Sequence, residues 1–132
     1  MTLLDPQSHI LIVDDTTENV DVLAGILRDH YKIKVALNGL KALQIAQSEP
    51  APDLILLDVM MPEIDGYEVC RRLKSNPKTA QIPVIFVTAK TEEDDETKGF
   101  SLGAVDYITK PISPPKLLSR IKTHLALKHA HH

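Results

Sequence analysis

Short, continuous apolar runs alternate along this chain with longer stretches whose apolar residues recur every three or four positions. The first run, His9–Val13, is rich in branched aliphatics and does not alternate with polar residues, as expected of a strand buried on both faces of a parallel sheet. Thr16-Thr17-Glu18-Asn19 then supplies helix-capping chemistry, and Val20, Leu23, Ala24 and Leu27 fall at helical spacing as far as Tyr31. A second unit joins the strand Lys32–Ala36 to a helix that turns in at Asn38-Gly39, runs through Leu40, Leu43 and Ala46, and stops at Pro50 and Pro52. The third joins a strand at 53–57 to a helix carrying Val69 and Leu73, ended near Asn76-Pro77. Residues 82–87 predict a fourth strand, and the acidic run 91–96 suits the positive end of a fourth helix. A short strand at 107–109 comes last, before a helix striped by Leu117, Leu118, Ile121 and Leu125 that Pro114 or Pro115 can begin. Five strands alternating with five helices predict one doubly wound α/β sheet covered on both faces.

Composition narrows this picture. With 132 residues, 43% of them hydrophobic, the chain suits a single domain able to bury a core without staples. Cys70 is the only cysteine, so no intramolecular disulfide can form, and a reducing, cytoplasmic setting is expected. The formal net charge of −3 leaves no cationic excess for a nucleic-acid backbone. Nor does any apolar run approach the ~18 residues of a membrane span, so neither nucleic acid nor membrane is expected as a partner. Residues 1–8 read as a leader, 9–128 as the domain, and 129–132, rich in histidine, as a tag-like tail.

Polar residues gather where the strands end. Asp14 and Asp15 follow the first strand, Asp58 the third, Thr88 the fourth and Lys110 the fifth, while the second contributes none. In open α/β sheets, function collects outside the carboxyl ends of the strands. Together with Met61-Pro62 and Asp65-Gly66 after Asp58, Ala89 after Thr88, and Tyr107 three residues before Lys110-Pro111, this pattern resembles the receiver domain of two-component response regulators, from about His9 to about Leu127. The resemblance implies a flavodoxin-like parallel sheet of order 2-1-3-4-5, which would bring these strand ends to one rim.

The same constellation has a physical reading. Three carboxylates held a few Å apart would repel by about 4 kcal/mol per pair at 4 Å and an effective dielectric near 20. A hard cation such as Mg²⁺ (or Mn²⁺) and the Lys110 ammonium would bring that charge to zero and make a cup for a phosphoryl group. Asp58 is the expected nucleophile, becoming an aspartyl phosphate. Asp15, and Asp14 through water, would hold the metal with Asp58, and the resemblance adds the backbone carbonyl of Met60. Thr88 and Lys110 would each bond a phosphoryl oxygen. The resemblance further implies room for a phosphodonor beside Ala89, a cis Lys110-Pro111 bond, and Met60 and Lys90 flanking the path of the water that removes the phosphate. It also implies a switch in which Thr88 is drawn to the phosphate and Tyr107 turns inward. That switch would reshape the face of the fourth helix, fifth strand and fifth helix for an output domain, an effector or a second copy of the chain. A sensor histidine kinase or a histidine phosphotransfer protein would be the donor.

Bland readings stand beside these. Taken singly, the Asp pair is capping chemistry, Asp58 a turn initiator, Thr88 a strand-end hydroxyl and Lys110 a solvated charge. Met61 reads as loop packing, and the acidic run as a solvated helix start. His124, His129, His131 and His132 lack the spacing of a helical zinc pair and read as surface and tail. A receiver-like module that docks without phosphate is the main competing function. A haloacid-dehalogenase-like phosphohydrolase would need a second acid two residues after its nucleophile, where this chain has Met60. The ending Lys122-Thr-His-Leu-Ala-Leu127 resembles receivers whose last helix continues into a signalling linker, which favours a receiver cut from a larger protein over a stand-alone one.

Overall fold

The computed structural model describes residues 8–89 and 93–130, with the side chains of 93, 94, 129 and 130 left aside. Lys90, residues 1–7 of the leader and the last two histidines lie outside the described residues. Five strands form a parallel sheet of order β2-β1-β3-β4-β5. They are β1 (His9–Val13), β2 (Lys32–Ala36), β3 (Leu54–Leu57), β4 (Val84–Thr88) and β5 (Asp106–Thr109), and each is followed by a helix. The helices are α1 (Thr17–Leu27), α2 (Gly39–Ala46), α3 (Gly66–Ser75), α4 (Glu93–Ser101) and α5 (Pro114–Ala130).

Strand alternation divides the core in two. Leu11, Val13, Ile55, Leu57, Val84 and Phe86 point to one face, where α2 and α3 cover them with Ala42, Ala46, Val69, Cys70 and Leu73. Ile10, Ile12, Leu54, Leu56, Ile85 and Val87 point to the other, against α1 and α5, which contribute Val20, Leu23, Leu27, Leu117 and Ile121. β3 is buried along its whole length, as a central strand sandwiched by helices must be. Truncating one of its leucines to alanine would cost about 2–5 kcal/mol.

Several boundaries differ from the sequence-based expectation. α1 ends at Leu27 rather than Tyr31, because the amides of His30 and Tyr31 both turn back to the Leu27 carbonyl. β4 begins at Val84, two residues late; Pro83 has no amide to give a ladder, although its carbonyl accepts from Ile55. Ser8, placed in the leader, accepts a hydrogen bond from the Lys32 amide and so extends the sheet edge. α5 continues through His129 and Ala130, into what composition marked as tail. Lys110-Pro111 is cis, as the resemblance implied, and Glu49-Pro50 is cis as well.

Candidate functional site

Ladder hydrogen bonds place the candidate residues one step beyond the strands. The Asp14 amide donates to Ala36, the Asp58 amide to Val13 and the Lys110 amide to Thr88, so each continues a strand's pairing just as its side chain reaches the rim. Because β1 and β4 both flank β3, Asp14 and Thr88 necessarily fall on either side of Asp58. β2, at the far edge, adds nothing.

A single ammonium ties the centre together. Lys110 Nζ donates to Asp14 Oδ2 at 3.0 Å and to Asp58 Oδ2 at 3.1 Å. Asp58 Oδ1 accepts from the Met60 amide at 3.1 Å, and the nearby Thr88 side chain also favours the charged form of this carboxylate. Asp14 Oδ1 accepts from the Thr16 amide at 2.9 Å, closing the turn that starts α1. Asp14, Asp58 and Thr88 are all buried, and charged residues are rarely so without partners. Two carboxylates share one cation, which leaves the centre one negative charge in excess. Burial lifts the Asp58 carboxyl above the usual carboxylate range, against the pull of the Met60 amide, Lys110 and Thr88, and Asp14 pushes it the same way. Lys110 is held above its ordinary value: burial opposes its charge, but the bonds to Asp14 and Asp58 outweigh that.

Glycine and aspartate chemistry aims the acceptor loop. Asp65 caps α3 by accepting from the Glu68 amide at 2.9 Å. The Gly66 amide donates to Val59, and a Cβ on Gly66 would lie 2.1 Å from the Asp58 carbonyl oxygen. Helix α3 can therefore begin directly against the acceptor's backbone only because this position has no side chain. Met61 packs on the core, as expected of loop packing, while Met60 is exposed.

The structure thus gathers Asp14, Asp58, Thr88 and Lys110. It does not gather three carboxylates. Asp15 is exposed, and among the described residues no group of three or more Asp, Glu, His or Cys side chains is close enough to hold a metal. Two inner acids are compensated by Lys110, while Asp15 is exposed, where its charge costs least. Ala89 is exposed at the mouth of the rim.

Tyr107 is already inward. It is buried, and its ring packs 5.8 Å from that of Phe86. The expectation that it turns inward on phosphorylation therefore meets a structure in which the inward position is filled beforehand.

Sequence reasoning missed two clusters. One is Tyr67 with Asp95 and Lys98 of α4. The other is Asp106, which accepts from Arg120 at 2.7 Å and meets His124 Nε2 at 3.0 Å. His124 is consequently mostly buried rather than a surface residue. Arg120 and His124 are four apart on α5, a spacing that would have signalled a shared partner.

A five-stranded, doubly wound sheet with an aspartate, a threonine and a lysine at one rim is the architecture of a signalling receiver domain. The profile of the response regulator receiver domain matches residues 10–122, and the chain belongs to that family. It is 51% identical over 122 residues to the probable cyclic di-GMP phosphodiesterase of Vibrio cholerae, covering 92% of this chain and 27% of that protein. To the response regulator PleD of Caulobacter vibrioides it is 43% identical over 117 residues, covering 88% and 26%. The chain spans about a quarter of the length of these two relatives. Among solved structures, a CheY-like receiver domain protein from Methanospirillum hungatei superposes with a TM-score of 0.87 at 28% identity, covering 96% of this chain and 99% of that one. The BeF3-activated receiver domain of DrrB, a Thermotoga maritima protein, gives 0.79 at 36%, covering 91% and 98%. Among the described residues no helix is long and apolar enough to cross a membrane.

Proposed function

We propose that this domain is a phosphorylation-controlled switch whose acceptor is Asp58. The observation that carries the reading is the shared Lys110 ammonium: it bridges Asp14 and Asp58, with Thr88 buried at the end of the adjoining strand. A carboxylate so surrounded has its donors already aimed at the place where phosphoryl oxygens would arrive. Asp58 attacks phosphorus, the bond from phosphorus to the donor's imidazole nitrogen breaks, and that nitrogen keeps the electron pair. Lys110 and Thr88 then turn their hydrogen bonds to the phosphoryl oxygens, releasing Asp14 from its ammonium partner.

Mg²⁺ or Mn²⁺ fits the donor set, since the groups facing the rim are hard oxygens and carry excess negative charge. Asp14, Asp58, the Met60 carbonyl and Asp15 would hold it, and when bound it would supply positive charge against the phosphoryl oxygens. Met60 and Ala89 border the approach to Asp58 and, with Lys90, would set the lifetime of the phosphate. The donor would be a histidine kinase or histidine phosphotransfer protein in the cytoplasm. The α4-β5-α5 face would carry the signal to an output domain, an effector or a second copy of the chain. Relatives named as a phosphodiesterase and as a transcriptional regulator indicate that such outputs vary. Residues 9–128 would form the switch itself.

Incubation with Mg²⁺ and a small phosphodonor should add one phosphoryl group, lost in Asp58→Asn. An intact fold that gains no mass would overturn the reading. Binding of a partner that is indifferent to Asp58→Ala would favour a phosphate-independent docking module instead.

A further inference from the structure

Tyr67 occupies an unusual crossing point. It follows Gly66, whose amide is bonded to Val59 and whose Cα lies against the Asp58 carbonyl, so its backbone is set by the acceptor loop. Its side chain leads away from the site. The hydroxyl donates to the Asp95 carbonyl of α4 at 3.0 Å and lies 3.3 Å from the Asp95 carboxylate. Lys98, one turn further along α4, sets its ammonium 4.6 Å from the centre of the Tyr67 ring. The ring packs edge-on against Phe86 at 5.4 Å, and Phe86 in turn meets Tyr107. Phe86 thus stands between the two tyrosine rings, so a movement of Tyr67 reaches Tyr107 through it. Gly99 completes the fit: a Cβ there would stand 3.0 Å from Phe86 and 3.1 Å from Tyr107, so α4 lies down on this aromatic row only because Gly99 is bare.

We propose that Tyr67 is a positioning residue that couples the Asp58 loop to α4 and to the inward position of Tyr107, as a second route beside Thr88. This rests on the phosphoacceptor reading of the rim. A phosphoryl group on Asp58 must shift the 58–60 backbone, because the Met60 amide now bonded to the carboxylate loses or changes that partner. Gly66 is pressed on this same backbone, so the displacement is delivered to the first turn of α3 and hence to the hydroxyl that holds α4. The coupling runs in reverse too: a tight Tyr67 contact favours the arrangement that binds phosphate.

Tyr67→Phe removes the hydroxyl while keeping the ring on Phe86 and under Lys98, so packing is preserved. Amide hydrogen exchange and Tyr107 ring resonances would be recorded with and without Mg²⁺ and beryllofluoride, the activator named for the DrrB receiver. In Tyr67→Phe without beryllofluoride, α4 amides should exchange about fivefold faster, the worth of one hydrogen bond, with β1 and β3 unchanged. About fivefold more beryllofluoride should be needed for half-saturation. Unchanged α4 exchange, or faster exchange with unchanged beryllofluoride affinity, would overturn the coupling. A parent protein that does not respond to beryllofluoride would overturn the phosphoacceptor reading itself, and with it the coupling.

Discussion

At the scale of single residues, the site is a charge problem solved unequally. Lys110 serves two buried acids, so removing it and removing one acid should act in opposite directions. Lys110→Met leaves Asp14 and Asp58 facing each other without a cation and should destabilise the domain by about 3 kcal/mol near neutral pH, read from denaturant midpoints. Asp58→Asn leaves one acid for one ammonium and relieves the burial that lifts the Asp58 carboxyl, so it should stabilise by about 1 kcal/mol. If both variants lose stability, the centre is not strained by its extra charge. Cys70 is the opposite case, a group with no charge to manage. It is fully buried on α3, and burial pushes its thiol up to about 11. The thiol should therefore resist alkylation at pH 8 in the folded protein and react only as the chain unfolds. Rapid labelling under native conditions, with the domain's circular dichroism unchanged, would contradict that placement.

At the scale of elements, much of the fold was legible because it depends on local pattern. Each strand is a short apolar run, and each rim residue directly follows or ends one, so Asp14, Asp58, Thr88 and Lys110 announced themselves by position. What could not be read is which rim groups touch. Lys110 lies 96 residues from Asp14 and 52 from Asp58, and only strand order puts its ammonium between them. Likewise the Tyr67 contact with Asp95 spans 28 residues between two helices, whereas the apolar spacing of α3 rested on Val69 and Leu73 alone. The exposure of Asp15 beside buried Asp14 was hidden for a related reason, since adjacent residues beyond a strand end need not face the same way. Gly66 tests how far the loop controls the acceptor. Adding a methyl at this position would drive it into the Asp58 carbonyl and the Val59 Cα, at 2.1 and 2.8 Å, and backbone cannot step aside as a flexible side chain can. Gly66→Ala should cost about 1–3 kcal/mol and, by turning the Asp58 carboxylate, slow phosphorylation at least tenfold. The check is mass-detected phosphorylation beside a melting curve. Phosphorylation at the parental rate would show that α3 does not set the acceptor's aim.

For the molecule as a whole, the rim is one of two places, among the described residues, where carboxylates are buried. The other lies at the start of β5, where Asp106 joins the sheet to α5 through Arg120 and His124 and also accepts from the Tyr107 amide. Burial alone would raise the Asp106 carboxyl. The hydrogen bonds from Arg120 and His124, then the Tyr107 amide and the Arg120 charge, outweigh it and hold the group below its ordinary value. The sign follows from linkage. A carboxyl depressed in the folded state binds its proton less tightly there than in the unfolded chain, so its contribution is complete above the unfolded value. That contribution is lost as pH falls from there through the folded value. The loss should therefore begin near pH 4, the ordinary range for aspartate, and continue below it. Asp106→Asn should lower stability by about 1–2 kcal/mol at pH 7, and the difference should shrink as pH falls below about 4 and the parent's carboxyl takes up its proton. Asp58 supplies the contrast, because its raised carboxyl makes its own contribution run the other way with pH. Urea midpoints of the parent, Asp106→Asn and Asp58→Asn between pH 2 and 7 separate the two. The Asp106→Asn curve should converge on the parent as pH falls. A gap that stays constant down to pH 2 would mean that Asp106 acts by packing rather than by the charge that fastens α5 to the sheet.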